Sequence, residues 1–107
     1  MATRALIHMP KLARAGDTFE VRTLIQHTME TGYRVDSAGN AIARDIIRRF
    51  ECRFDGQLVC AADLHVAVAA NPFLAFWVRA SSSGTLEFTW RGDQAFEHRE
   101  RVGLTVT

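Results

Sequence analysis

The feature that most constrains this chain is the return of apolar side chains at every second position, in run after run. Phe19, Val21, Thr23 and Ile25 alternate with Glu20, Arg22, Leu24 and Gln26. Phe50, Cys52 and Phe54 alternate with Glu51 and Arg53, and Leu86, Phe88 and Trp90 with Glu87, Thr89 and Arg91. Near the end, Val102, Leu104 and Val106 alternate with Arg101, Gly103 and Thr105. A strand turns successive side chains to opposite faces, so this is the pattern of strands with one face in a core. Turn residues punctuate the runs: Ala15-Gly16-Asp17, Ser37-Ala38-Gly39-Asn40, Asp55-Gly56, Ser81-Ser82-Ser83-Gly84 and Gly92-Asp93. The spacing predicts an all-β fold, an immunoglobulin-like β-sandwich of roughly seven or more strands. One segment competes for helix, because Ile42, Ile46, Ile47 and Phe50 stand three and four apart. Adjacent β-branched Ile46-Ile47 favours a strand. The expectation is therefore loop over 35–44 and strand over roughly 46–54, with any helix confined to a turn or two around 36–45. A chain of 107 residues without repeat, low-complexity tract or linker reads as one domain, 1–107.

The run Asn71-Pro72-Phe73-Leu74-Ala75-Phe76-Trp77-Val78 breaks the half-polar rule. As a strand it sends Leu74, Phe76 and Val78 to one face and Phe73, Ala75 and Trp77 to the other. A two-layer sandwich can bury one of these faces, so something else must cover the second. Two coverings are open: a partner chain, or loop 28–45 folded back. The first makes Phe73 and Trp77 interface residues.

Charge and reactive residues exclude several functions. Thirteen basic side chains against twelve acidic leave a formal charge of +1, which supplies no broad field for nucleic acid or anionic lipid. Lys11 is the only lysine, and the arginines that dominate suit planar carboxylate recognition at interfaces. His8, His27, His65 and His98 include no spaced pair of the zinc-protease kind. Cys60 and His65 are the nearest approach to a ligand pair, but every methionine precedes Cys60, so a late Cys-His-Met copper loop has no counterpart. Ser81, Ser82 and Ser83 belong to a hairpin loop, with no Gly-x-Ser-x-Gly elbow. No catalytic residue, cofactor or metal is expected, and the chain reads as a non-enzyme. Cys52 and Cys60 flank a hairpin at Asp55-Gly56. A two-residue turn sets Cys52 opposite Val59, whereas a three-residue loop sets the cysteines opposite each other, so a disulfide stays open. The first ten residues hold no apolar run of signal-peptide length, and no stretch approaches a membrane span. On these grounds alone the chain reads as cytosolic.

Several pieces, in order along nearly the whole chain, resemble the SoxZ family of sulfur-oxidation proteins. They are Lys11-Leu12-Ala13-Arg14-Ala15-Gly16-Asp17, His27-Thr28-Met29-Glu30-Thr31-Gly32, Ala43-Arg44-Asp45-Ile46-Ile47 with Phe50-Glu51-Cys52, Ala70-Asn71-Pro72-Phe73, and Gly84-Thr85-Leu86-Glu87-Phe88-Thr89-Trp90. The piece from His27 to Gly32 is the most specific. The resemblance implies an immunoglobulin-like, non-catalytic subunit that pairs with SoxY, whose cysteine-bearing glycine-rich arm carries the sulfur intermediates of thiosulfate oxidation. The tail Arg101-Val102-Gly103-Leu104-Thr105-Val106-Thr107 has neither cysteine nor such an arm, so the chain looks like the Z partner. The resemblance also implies a periplasmic location, reached by export with SoxY, and transient contacts with other sulfur-oxidation enzymes. It places Met29 beside Phe73 and Trp77 in the partner interface. Ala43 stands where the family often has proline, and Arg91-Gly92-Asp93-Gln94 is less acidic than the family's usual hairpin. The alternative is an immunoglobulin-like interaction module of another pathway. A third reading, a small metal-binding enzyme, requires tightly bound metal in the purified protein.

Overall fold

The structure, a computed structural model, describes residues 4–107. Each alternating run becomes a strand, and the described residues contain eight: β1 Ala5–His8, β2 Leu12–Ala13, β3 Thr18–Ile25, β4 Ile47–Phe54, β5 Gln57–Asp63, β6 Phe73–Arg79, β7 Gly84–Gly92 and β8 Glu97–Val106. They form two sheets, one of three strands in the order β1-β3-β6 and one of five in the order β2-β8-β7-β4-β5. All pairings are antiparallel except β2 with β8. The two sheets stack as an immunoglobulin-like β-sandwich. No helix occurs among the described residues, and 35–44 is irregular apart from bridges at Val35–Ala41 and Glu30–Asp45.

The core lies between the sheets. Phe19, Val21 and Ile25 of β3 and Val78 of β6 face Phe50 and Cys52 of β4, Leu86, Phe88 and Trp90 of β7, and Leu104 of β8, all buried. Phe50 is its centre, with ring centroids of Trp90 at 5.3 Å, Phe76 at 5.8 Å and Phe88 at 6.4 Å. Thr23, buried on the same face, donates its hydroxyl to the Leu74 carbonyl at 3.1 Å, so its polar atom is satisfied.

Two connections differ from the sequence reading. Ser81–Gly84 does not join a hairpin: β6 and β7 lie in different sheets, and the turn carries the chain across the sandwich. Ser83 pins that crossing, its Oγ accepting from Val106 N at 2.8 Å. Asp55-Gly56 is a two-residue hairpin turn with φ of 48° and 86°, the left-handed pair such turns require. A register shift then follows between Cys52 and Arg53, and Cys52 faces Cys60 rather than Val59. A bulge, not a longer loop, brings the two cysteines opposite each other. Both are free thiols.

Candidate partner interface

The outer face of the three-stranded sheet is assembled by register. In β3–β6, Leu24 stands opposite Phe73, Arg22 opposite Ala75 and Glu20 opposite Trp77. In β1–β3, Leu6 stands opposite Leu24 and His8 opposite Arg22. One row across all three strands is therefore Leu6, Leu24, Phe73, and Trp77 lies two positions further along β6. All four are exposed: Leu6 66%, Phe73 59%, Trp77 65% and Leu24 37%. Shallow depressions beside the row are lined by Leu6, Leu24 and Phe73 together with the polar side chains of Arg4, His8, Arg22, Gln26 and Asn71. Two of the charges on this face pair, Arg22 Nε donating to Glu20 Oε1 at 2.7 Å, while Arg79 at the end of β6 donates to the Gly16 carbonyl at 3.2 Å. The arrangement offers a flat apolar platform with one ion pair, suited to packing against a protein and holding no convergent reactive set.

The division of β6 agrees with the alternation read from sequence. Leu74, Phe76 and Val78 turn inward, and Phe73, Ala75 and Trp77 turn out. Loop 28–45 does not cover the outward set, which stays exposed. Sequence reasoning missed Leu6 and Leu24. The signal for Leu24 was visible, since it is the one large apolar residue among Glu20, Arg22 and Gln26 on the solvent side of β3.

Met29 is a correction. It was expected beside Phe73 and Trp77, but it is buried at 4% exposure. Its backbone is left-handed, φ 52°, and its sulfur accepts from Ile47 N at 3.3 Å. The motif around it builds the loop. His27 Nδ1 accepts from Met29 N at 2.9 Å, and the ring stands edge-on to Phe96, centroids 4.9 Å apart. Glu30 and Asp45 exchange two backbone hydrogen bonds, both 2.8 Å. Gly32, with φ 89°, lies so close to Arg44 that an added Cβ would meet the arginine Cβ at 3.0 Å. Arg44 then clamps the loop to the β7–β8 turn through two hydrogen bonds to Asp93, 2.8 and 2.9 Å. That guanidinium, helped by Ile46 N, holds the Asp93 carboxyl below its ordinary range.

The outer face of the five-stranded sheet is built differently. Arg49 bonds Asp63 and Glu51, Arg53 bonds Glu51, Arg91 and Arg99 bond Glu97, and Arg101 bonds Glu87. Burial pushes Glu51 up, and the hydrogen bonds from Arg49 and Arg53 more than offset it, leaving the carboxyl below its ordinary range. Among the described residues, no group of three or more His, Cys, Asp and Glu side chains converges as a metal site would require. Two His–carboxylate pairs, His98 Nε2 with Glu100 Oε1 at 2.8 Å and His27 Nε2 with Asp45 Oδ1 at 3.7 Å, stand without a third ligand among the described residues.

Residues 7–102 match the family described as Sulphur oxidation protein SoxZ. The chain belongs to the SoxZ family. It is thus a sulfur-oxidation protein, and the match spans every strand from the end of β1 to the middle of β8. Among solved structures, a superoxide reductase (neelaredoxin) from Ignicoccus hospitalis aligns at TM-score 0.75 with 18% identity, covering 98% of this chain and 82% of that one. The sulfur carrier protein SoxY from Chlorobium limicola f thiosulfatophilum aligns at TM-score 0.63 with 14% identity, covering 96% of this chain and 78% of that one. At such identities both likenesses are likenesses of fold. No curated protein sequence matches the chain.

Proposed function

We propose that this chain is the non-catalytic binding subunit of a sulfur carrier complex, holding a SoxY-type subunit against the outer face of its three-stranded sheet. The partner bears the sulfur intermediates covalently, and this chain supplies the platform. Membership of the SoxZ family gives the pathway, and the exposed row Leu6, Leu24, Phe73 with Trp77 is the observation that carries the binding role. Large aromatics surrounded by exposed apolar neighbours are the residues that anchor protein interfaces. Cys52 faces the core, and burial, with Cys60 beside it, pushes its thiol up to about 12. A thiol held protonated is a poor nucleophile, which supports placing the sulfur chemistry on the partner. The complex works in the periplasm, this subunit travelling with its partner.

Co-expression with a SoxY-type subunit tests the reading. Wild-type chain retains the partner through purification, Trp77→Asp loses it while staying folded, and turnover leaves sulfur adducts on the partner alone. Retention of the partner by a folded Trp77→Asp chain, or an adduct on Cys52 or Cys60, contradicts it.

A further inference from the structure

β6 is an edge strand, and its free edge carries a second surface. Ala80 N donates to Asp17 O and Ile25 N to Pro72 O, which fixes the hydrogen-bonded pairs between β3 and β6 at alternate positions. These are Phe19 with Val78, Val21 with Phe76 and Thr23 with Leu74. The amides and carbonyls of Phe73, Ala75 and Trp77 therefore point away from β3, toward the open side of the strand. The sheet order ends at β6, so no strand among the described residues receives them.

Other edges of the molecule are protected in ways β6 is not. β5 carries the bulge beside Cys52, which bends it away from a straight partner. β2 has two residues, and β1 has four and runs into Pro10. β6 has seven, with no proline inside it (Pro72 adjoins its start, but its carbonyl is bonded to β3 and its ring nitrogen lies on that side), no bulge against β3 and a charge only at its last residue, Arg79.

We propose that two copies of this chain pair antiparallel through β6, on a two-fold axis through Ala75, giving one continuous six-stranded sheet. The register follows from the free groups. Ala75 faces Ala75 of the second copy, Phe73 faces its Trp77, and Trp77 faces its Phe73, each pair exchanging two hydrogen bonds. Every free amide and carbonyl of these residues is then satisfied. The outer face gains two rows, each reading Leu6, Leu24, Phe73 and then Trp77 of the second copy, with aromatic rings in cross-strand contact. Charges are compatible. The two copies of Arg22 are three strand steps apart, about 14 Å, beyond the physiological screening length of about 8 Å. Arg79 faces Asn71 and not its own copy. A two-fold contact uses both free β6 edges and closes, whereas β1 against β6 would propagate as a fibre. This inference goes beyond the binding of SoxY, because edge pairing leaves the outer face open.

Sedimentation of the purified chain alone, over nanomolar to high micromolar concentration, gives the first test, and a reversible monomer–dimer equilibrium is expected. Hydrogen exchange gives the second. Amides of Leu74, Phe76 and Val78 exchange slowly at all concentrations, whereas those of Phe73, Ala75 and Trp77 slow only as dimer forms. Ala75→Pro removes the central donor on the free side without touching a bond to β3, and should leave a folded monomer. A chain that stays monomeric overturns the proposal. So does a dimer whose Phe73, Ala75 and Trp77 amides exchange fast, or one that persists in Ala75→Pro. Should that variant fail to fold, the wild-type exchange pattern decides alone. Loss of dimer with SoxY binding intact, or the reverse, separates this inference from the function proposed above.

Discussion

The two outer faces of the sandwich are built from strands of the same alternating pattern, yet they present opposite surfaces. On the five-stranded sheet, the outward positions of β4, β7 and β8 hold Arg49, Glu51, Arg53, Glu87, Arg91, Glu97, Arg99 and Arg101, joined as ion pairs both along and across the strands. On the three-stranded sheet, the equivalent positions hold Leu6, Leu24, Phe73, Ala75 and Trp77, with the ion pair between Glu20 and Arg22 and, at the strand ends, His8 and Arg79. Exposed ion pairs add little to stability, and such a charged lattice disfavours non-specific strand or sheet pairing on its face. The apolar face carries no such lattice, and it is the face to which the proposed function assigns the partner. Under that proposal, in a small two-layer domain the uncovered apolar surface, more than any reactive residue, marks where function lies.

Several substitutions break or sharpen that contrast. The largest effect belongs to the inner side of β6. Phe76→Asp puts an unpaired charge against Phe50, and costs about 4 kcal/mol or more, enough to unfold a domain of ordinary stability. A chemical denaturation curve that stays cooperative near the wild-type midpoint would show the faces are reversed. Trp77→Asp, one residue away on the outer side, leaves the midpoint nearly unchanged and weakens the partner by about 2 kcal/mol or more.

The next effect is alkaline. The Cys52 thiol is protonated in the folded chain up to about pH 12, while in the unfolded chain it ionises near pH 8.5. Ionisation therefore favours the unfolded state, and stability falls as pH rises from about 9 toward 12. Cys52→Ala removes that slope, measured by thermal melts across the range. Thiol reagents should label Cys52 only on unfolding.

Acid gives the smallest change. Asp93 and Glu51 are held below their ordinary ranges, so their contribution is present above about pH 4 and is lost as pH falls through the lowered values. Arg44→Ala should remove the larger share of the Asp93 part, leaving that of Ile46 N, and speed amide exchange at Glu30 and Asp45, without changing partner affinity.

How much of this was legible in the sequence depends on what periodicity can encode. Alternation over 19–25, 50–54, 86–90 and 102–106 located strands and their inner faces, and the doubly apolar run 73–78 exposed the anomaly at Phe73 and Trp77. Periodicity says which face a residue takes, not which strand lies beside it. Ser81–Gly84 therefore looked like a hairpin when it crosses between sheets. A bulge leaves no trace in a two-residue pattern, so the facing of Cys52 and Cys60 stayed open until the register was seen. Met29 was misplaced for another reason: a specific motif was taken for a contact site, when its left-handed residue and the His27 hydrogen bond make it a loop-building element. Leu6 and Leu24 join the site only through cross-strand register, which lies outside any single run.

The central claim is that the partner binds the apolar face and not the charged one. Calorimetric titration of a SoxY-type subunit into Trp77→Asp and, separately, into Arg99→Ala compares the two faces directly. Trp77→Asp is expected to lose roughly 30-fold or more in affinity, corresponding to about 2 kcal/mol, and Arg99→Ala to keep wild-type affinity. Wild-type affinity in Trp77→Asp with a comparable loss in Arg99→Ala would contradict it and move the interface to the five-stranded sheet.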